Sequence, residues 1–143
     1  MDNEIYELAK KSGACSPGLR DIQKANNVND LIRLLKTGKG IEFIMESNLL
    51  TESVYNQYRS ELEKENIFLD GQHRLVNPRL VIVLGGEVNI DANGFQVTDI
   101  YIKGSSVVNI AAHDNTYVSI ELRQDAKVNI ESYEQAKVKE YRK

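Results

Sequence analysis

The amino-acid sequence predicts an α+β protein: a short helical N-terminal cap followed by a small β-solenoid with about 20 residues and two strands per coil. The triplet Val-Asn-Ile begins at Val88, Val108 and Val128, at intervals of 20 residues. Inside each repeat apolar and polar residues alternate, which is typical of half-buried strands. Earlier in the chain, apolar residues three or four apart indicate short helices. We therefore expect a helical region over residues 1–70 and a solenoid over residues 71–143.

Two helices are predicted in the first 27 residues. Asn3 is placed to cap the first helix, and Gly13 to end it. Ser16 followed by Pro17 is typical of an N-cap with proline at the first helical position. Asn26 and its neighbour then interrupt the apolar pattern of this second helix.

A third helix and a compact apolar segment follow. Asn29 is a candidate N-cap for a helix with a broad leucine and isoleucine face, and Gly38 and Gly40 are expected to stop it. Residues 41–45 are apolar enough to predict a turn or short helix that packs into the core.

The longest helix is predicted over residues 52–65, with Thr51 as its N-cap. Val54, Tyr58 and Leu62 are spaced by four residues, so they form one stripe along the helix. Helices this short are marginal in isolation, so we expect all of them to be stabilised by packing.

Strands are predicted from residue 67 onward. Ile67–Leu69 reads as a strand that ends in a turn, and the polar residues 70–79, which include Pro78, are the expected junction. From Leu80 the composition shifts to valine, isoleucine, threonine and tyrosine, with turn residues every ten positions.

Three positions of each ten-residue unit are predicted to point into the core. The first is held by Val88, Thr98, Val108, Val118, Val128 and Val138, the second by Ile90, Ile100, Ile110, Ile120 and Ile130, and the third by Ala92, Ile102, Ala112, Leu122 and Ser132. Strand alternation then turns the residues between them outward.

Two architectures fit a ten-residue strand-and-turn unit. An antiparallel β meander is the alternative, because Asn93-Gly94 is a typical hairpin turn. The solenoid is favoured because small and large residues alternate at the third inward position, so that like residues stack only at 20-residue intervals. The charged segment 137–143, in which Glu140 replaces the inward isoleucine, is expected to protect the far end of the stack.

Composition places this chain among ordinary globular proteins. Of its 143 residues, 41% are hydrophobic and 27% charged, and the net charge is −3. This balance carries no basic footprint for nucleic acid, and no apolar run approaches the length of a membrane span. The acidic start and the single cysteine, Cys15, predict a cytoplasmic protein, or a virion component if the protein is a phage structural part.

Residues with chemical potential do not form a recognisable constellation. We predict no catalytic residues, no metal site and no cofactor. His73 and His113 are isolated turn or junction histidines, and no base is placed beside Cys15. Among the scattered acids, Asp99 and Glu121 could meet by stacking, although no cleft loop accompanies them.

The residues predicted to form an interaction surface are outward asparagines and tyrosines. Asn89, Asn109 and Asn129 are expected to stack as an amide ladder. Tyrosine is common in protein interfaces, so the second set is Tyr101, Tyr117 and Tyr133.

The sequence also resembles a known family. Leu34-Leu35, Gly40-x-Glu42-Phe43, Ile67-Phe68-Leu69-Asp70 and Val83-Leu84-Gly85, followed by decapeptide repeats, are similar to small uncharacterised proteins of prophages and mobile elements. The resemblance implies a helical N-terminus, C-terminal β repeats and a phage or mobile-element context, and it carries no catalytic residue.

These observations predict a non-enzymatic phage or mobile-element accessory or structural protein that presents a solenoid face to a protein partner. Self-association, as a homodimer, is the other expected mode, because open strand edges pair readily. An alternative is an inhibitor that binds a host defence or nucleic-acid enzyme. A weaker alternative is a carbohydrate-active enzyme.

Overall fold

The protein divides into a helical unit, Met1–Glu65, and a β unit, Asn66–Lys143. The computed structural model describes residues 10–11, 28–47 and 50–143. Helices followed by stacked parallel strands confirm the predicted α+β class and the solenoid. The boundary lies before the expected position at residue 70. Apart from helical residues 10 and 11, the two helices predicted from Asn3 and Ser16 lie outside the described residues, as does Cys15.

The helical unit contains four short helices in its described part, and their buried residues form its core. They are α1 (Val28–Leu35), α2 (Gly38–Glu46), α3 (Glu52–Gln57) and α4 (Arg59–Lys64). Buried side chains include Leu31, Ile32, Leu35, Ile41, Ile44, Met45, Val54, Tyr55 and Leu62. None of the helices in the described ranges is long and apolar enough to cross a membrane.

The connection between α1 and α2 corrects two predictions. Helix α1 already begins at Val28, so Asn29 lies inside it rather than at its cap. Gly38 and Gly40 begin α2 rather than stop α1, because the Thr37 hydroxyl accepts a hydrogen bond from the Gly40 N–H at 3.2 Å. A Cβ on Gly40 would lie 2.3 Å from the Leu34 carbonyl oxygen, so glycine is required where the two helices meet.

The predicted helix over residues 52–65 is wrong as a single element, because it breaks at Tyr58 between α3 and α4. Thr51 caps α3 as expected. The break brings both α4 residues Arg59 and Glu63 to Tyr55: the guanidinium lies 4.6 Å from the ring centroid, and the tyrosine hydroxyl donates to the carboxylate. Tyr55 is therefore buried in place of the predicted Tyr58.

Nine strands form the two sheets of the β unit. They are β1 (Ile67–Phe68), β2 (Gln72–Val76), β3 (Leu80–Val83), β4 (Glu87–Ala92), β5 (Val97–Ile102), β6 (Val107–Ala112), β7 (Tyr117–Leu122), β8 (Lys127–Ser132) and β9 (Lys137–Arg142). Odd-numbered strands form one sheet in the order β1-β3-β5-β7-β9, and even-numbered strands form the other, β2-β4-β6-β8. Consecutive strands alternate between the sheets, so two strands make one coil.

Every strand pairing is parallel, and in the pairs β4-β6, β5-β7, β6-β8 and β7-β9 the register places residues 20 apart directly opposite one another. Val88 pairs with Val108, and Ile110 pairs with Ile130. Parallel pairing excludes the antiparallel meander, in which adjacent strands run in opposite directions. The three predicted inward positions of β4 to β7 are all buried, and all except Thr98 belong to a single apolar core cluster, which confirms the predicted register.

The first coil is shorter than the others and begins earlier than predicted. Strand β2 pairs with β4 in a register of 15 residues, Gln72 opposite Glu87, so residues 72–76 belong to the solenoid instead of a junction. A tight turn makes this possible: a Cβ on Gly85 would lie 2.1 Å from the Leu69 carbonyl oxygen, and Gly86 has φ +81°. The paired glycines therefore have a structural role.

The turns repeat a left-handed residue every ten positions. Gly94 and Gly104 occupy this position first, and Asp114, Gln124 and Glu134 follow with φ 59° each. Turns stack as the strands do, since the Asn115 N–H donates to the Gly94 carbonyl oxygen at 2.9 Å. For glutamine and glutamate this backbone conformation carries strain that glycine avoids.

The last coil, formed by β8 and β9, is exposed. Segment 137–143, expected to protect the stack, forms β9 and continues the register, with Glu140 opposite Ile120. Val128 and Val138 are half-buried, and Ile130 is 37% exposed although it occupies an inward position.

We predict that Ile110→Asp lowers the free energy of unfolding of the β unit by at least about 4 kcal/mol, because it removes a buried side chain and introduces a charge into the core. The matched variant Val107→Asp lies on the same strand but points outward between Glu87 and Lys127, and should cost less than about 1 kcal/mol. Urea denaturation followed by circular dichroism measures both. Equal losses for the two variants would contradict the inward register.

We also predict that Gln124→Gly raises the free energy of unfolding by about 0.5–1 kcal/mol, because it relieves the left-handed strain at that position. The reverse exchange one coil below, Gly104→Gln, should cost at least about 1 kcal/mol, because its Cβ would lie 2.9 Å from the Leu84 carbonyl oxygen. The same denaturation experiment checks the pair, and a loss of stability on Gln124→Gly would refute the strain argument.

Candidate functional site

The outer surface of the even-numbered sheet is the leading candidate site, and we call it the asparagine face. It consists of the outward side chains of β2, β4, β6 and β8, which include Arg74, Glu87, Asn89, Asp91, Asn109, Ala111, Lys127, Asn129 and Glu131. Its backbone is fixed by parallel pairing on both sides of β4 and β6. The face is therefore a regular platform on which side chains are placed by the strand register.

The predicted amide ladder is confirmed at the centre of this face. The Asn129 side-chain amide donates to Asn109 Oδ1 at 2.7 Å, and the Asn109 amide donates to Asn89 Oδ1 at 2.9 Å. A second bond from the Asn109 amide reaches Glu87 Oε1 at 2.9 Å. Both amide hydrogens of Asn109 are thus used, which holds the middle of the ladder in one orientation.

A shallow depression of about 320 Å³ lies beside the ladder. Its lining combines the three asparagines with Arg74, Asp91, Ala111 and Glu131. Ala111 lies between Asp91 and Glu131 in the strand register, so its short side chain leaves space between two longer ones. Arg74 contributes a hydrogen bond to Asp91 at 3.1 Å at one end. Sequence reasoning did not single out Arg74, Ala111 or Glu131.

Two of the predicted tyrosines lie on the opposite surface, which we call the tyrosine face. Tyr101 on β5 and Tyr117 on β7 point outward from the odd-numbered sheet and are half-buried. Burial raises the pKa of the Tyr101 hydroxyl, and the nearby carboxylates Asp99 and Glu121 raise it further. The Lys139 ammonium lies 6.0 Å from the centroid of the Tyr117 ring.

The third predicted tyrosine, Tyr133, lies in a turn between the two faces. Its ring stacks on His113 with the ring centroids 4.7 Å apart, and its hydroxyl donates to Glu131 at 2.9 Å. This bond raises the pKa of the Tyr133 hydroxyl. The structure therefore brings the three asparagines together but distributes the three tyrosines over another face and a corner.

Phe95 is a surface feature that sequence reasoning missed. It occupies the turn between β4 and β5 and is 84% exposed. The sequence signals it by residue type, because the equivalent turn positions ten, 20 and 40 residues further on hold polar residues: Ser105, Asn115 and Gln135. Most of this apolar ring therefore faces solvent.

Asp99 and Glu121, the two acids considered for catalysis, each have a structural partner. Asp99 and Glu121 do not stack, since Asp99 pairs in register with Ser119 and Glu121 with Tyr101. Each carboxylate forms an ion pair, Asp99 with Arg79 at 2.9 Å and Glu121 with Arg123 at 3.1 Å. In the described ranges, no group of three or more histidine, cysteine or acidic side chains is arranged to hold a metal ion.

The two histidines are also packed rather than simply solvated. The His73 ring lies 4.2 Å from the Phe68 ring centroid, and its Nε2 lies 2.8 Å from the Asp70 carbonyl oxygen. His113 stacks on Tyr133 as described above. Both rings therefore hold turns of the solenoid in place.

Asp114 ties one coil to the next through its side chain. Its Oδ2 accepts a hydrogen bond from the Gly94 N–H at 2.8 Å, 20 residues earlier. This bond lowers the pKa of the Asp114 carboxyl, and a hydrogen bond with Glu134 lowers it further. The carboxylate form is therefore the one that the folded turn prefers.

Comparison with known proteins adds no assignment. No protein-family model matches the chain. No curated protein matches it, and no solved structure matches it.

We predict that Asp114→Asn reduces the dependence of stability on acid pH. Because the folded pKa of Asp114 is depressed, its contribution is fully present above the ordinary carboxyl pKa and is lost as the pH falls through the folded pKa. Between about pH 6 and about pH 2, the free energy of unfolding should therefore fall less in the variant than in the wild type.

Asparagine tolerates the left-handed backbone of this position, so the substitution leaves the turn intact. Asp125→Asn, which changes an exposed carboxylate in the next turn, serves as the control and should follow the wild-type curve. Urea titrations across the pH series provide the measurement. Parallel curves for Asp114→Asn and the wild type would refute the role of the Gly94 bond.

Proposed function

We propose that the protein is a non-enzymatic interaction protein that presents the asparagine face to a protein partner. With the phage or mobile-element context implied by the sequence resemblance, it serves as an accessory or structural component, and its partner is a phage or bacterial protein. The amide ladder is the observation that carries this proposal, because it forms a fixed polar surface whose centre carries no charge.

The distribution of charge supports a protein partner. The centre of the face is formed by the three asparagines and Ala111, and the charged residues that surround it are Arg74, Glu87, Asp91, Lys127 and Glu131. Protein interfaces commonly combine a centre depleted of charge with a charged and polar rim. Few charged groups would have to lose their hydration when a partner covers the middle of this surface.

The preorganised asparagine ladder also supports the asparagine face as the binding surface. Docking usually costs conformational entropy because polar side chains become ordered in the complex. Asn109 is already held by three hydrogen bonds within the protein, so little further ordering is needed. Remaining lone pairs and amide hydrogens of Asn89 and Asn129 are available to a partner.

The depression beside Ala111 supplies relief on an otherwise flat sheet. At about 320 Å³ it accommodates a protruding side chain, with Asp91 and Glu131 on either side. Binding sites on protein surfaces often place an anchor residue of the partner in such a recess. The two carboxylates favour an anchor that carries a hydrogen-bond donor or a positive charge.

We predict that Ala111→Arg abolishes partner binding by filling the depression, while the amide ladder stays intact. The new guanidinium lies between Asp91 and Glu131, so the folded state tolerates it. Ser119→Arg is the matched control: it lies on β7 of the tyrosine face, between Asp99 and Lys139. Affinity capture from bacterial and phage-infected lysates, quantified by mass spectrometry, compares both variants with the wild type.

The expected result is a protein retained by the wild type and by Ser119→Arg, with recovery at least about ten-fold lower for Ala111→Arg. Thermal unfolding of each variant confirms that the fold is kept. If the same proteins bind all three baits equally, or only Ser119→Arg loses binding, the asparagine face is not the binding surface.

A further inference from the structure

The last coil presents two open strand edges. Within the described chain, β8 pairs only with β6, and β9 pairs only with β7. The backbone N–H groups of Lys127 and Lys137 point back to the coil beneath, where they donate to the backbone carbonyl oxygens of Ser106 and Thr116. Backbone groups alternate along a strand, so the N–H and C=O of residues such as Ile130 and Val138 point away from the stack. Such groups form a template for further strand pairing.

The side chains of this coil do not continue the apolar core. Ile130 is 37% exposed, and Val128 and Val138 are half-buried. Glu140 and Arg142 stand at inward positions held by Ile120 and Leu122 in the coil beneath. The open backbone edge, rather than an apolar surface, is therefore what this end of the stack offers to an occupant.

We propose that a second copy of the chain pairs with this end, so that two solenoids join end to end around a two-fold axis. Strand β8 of each copy pairs with β9 of the other in an antiparallel ladder, with Ile130 opposite Val138 of the second copy. The backbone groups that meet in this pair are the outward-pointing ones. Two-fold symmetry produces each contact twice and closes the assembly as a dimer.

Charge complementarity along the two strands fixes this register. With Ile130 opposite Val138, antiparallel pairing places Glu131 opposite Lys137 of the second copy. On the other side of the apolar pair, Asn129 lies opposite Lys139, and Lys127 lies opposite the Tyr141 ring. No like charges are directly opposed within the ladder, and such directly opposite pairs are the ones that stabilise a sheet.

Other arrangements of the same edges oppose like charges. If β9 paired instead with β9 of the second copy, the two-fold axis would pass through Lys139 or Glu140. That residue would then lie opposite its own symmetry mate, which carries the same charge. Sliding β8 along β9 by two residues, which preserves the inward and outward faces, brings Lys127 opposite Lys139 or Lys143 of the second copy. The proposed register avoids all of these oppositions.

The test is the dimer affinity of the purified, full 143-residue chain, measured by sedimentation equilibrium over a range of concentrations. Lys137→Glu and Glu131→Lys each place like charges opposite one another at both symmetry-related pairs. Each single variant should weaken the dimer on the order of ten-fold or more, and the double variant should return to the wild-type affinity. Lys64→Glu, an exposed change of the same charge in the helical unit, should have no effect.

A second variant tests the pairing from the apolar side. Glu140 faces Val128 of the second copy, so Glu140→Ile removes an unfavourable neighbour and should tighten the dimer on the order of ten-fold. A wild-type chain that stays monomeric up to about 1 mM would overturn the proposal. So would a dimer that the single charge reversals leave unchanged, or single reversals that the double variant does not rescue. Since no other protein is present, these outcomes are separate from the fate of the proposed partner surface.

Discussion

Parallel pairing between residues 20 apart is the constraint on which the rest of the β unit depends. Each coil is hydrogen-bonded to the next in a fixed register, so an inward residue meets its counterpart directly above and below. A slip by one residue would turn the whole inward set to solvent. Because the register cannot slip, the isoleucine column of Ile90 and Ile110 and the asparagine column of Asn89 and Asn109 follow from one geometrical condition.

The same condition extends to the turns. A turn can stack on the one beneath only if its backbone has the same shape, so the left-handed residue recurs at every tenth position from Gly94 to Glu134. Glycine adopts this conformation freely, whereas the glutamine at 124 adopts it because the neighbouring coils impose it. Asp114 compensates by accepting a hydrogen bond from Gly94 in the coil beneath. Turns stack at intervals of 20 residues, so Asp114 and Gln124 lie in different columns, and the Asp114 bond stabilises the column of Gly94 alone.

The features that the sequence predicted are those that repeat. The inward register and the amide ladder follow from similar or identical residues at a constant interval, so the sequence alone predicts them. The first coil escaped prediction because its register is 15 residues rather than 20, set by the close approach of Gly85 and Gly86 to residues 69–71. The break at Tyr58 escaped prediction because the contacts that accompany it, those of Arg59 and Glu63 with Tyr55, have no periodic signal.

The candidate site likewise combines features that repeat in the sequence with features that do not. Asn89, Asn109 and Asn129 could be found from their repetition, whereas the depression beside them depends on a single small residue, Ala111, between two acidic ones. Tyr101, Tyr117 and Tyr133 share a residue type but do not stack in one column. Their prediction as one surface rested on residue type alone, and the fold places them apart. Exposure of Phe95 follows from its position in a turn, where residue type gives little information about burial.

The two proposals combine through the continuity of the sheets. If β8 of one copy pairs with β9 of the other, the four-stranded sheet of the first copy runs into the five-stranded sheet of the second. The asparagine face of each copy then adjoins the tyrosine face of its partner, and the two-fold axis repeats this combined surface on the opposite side. A protein that recognises the amide ladder would encounter two equivalent sites in one dimer, and a bivalent partner would gain affinity without any additional contact within each site. The edge that joins the copies and the face that binds a partner therefore meet at β8, whose backbone pairs with the second copy and whose outward side chains, Lys127, Asn129 and Glu131, belong to the asparagine face.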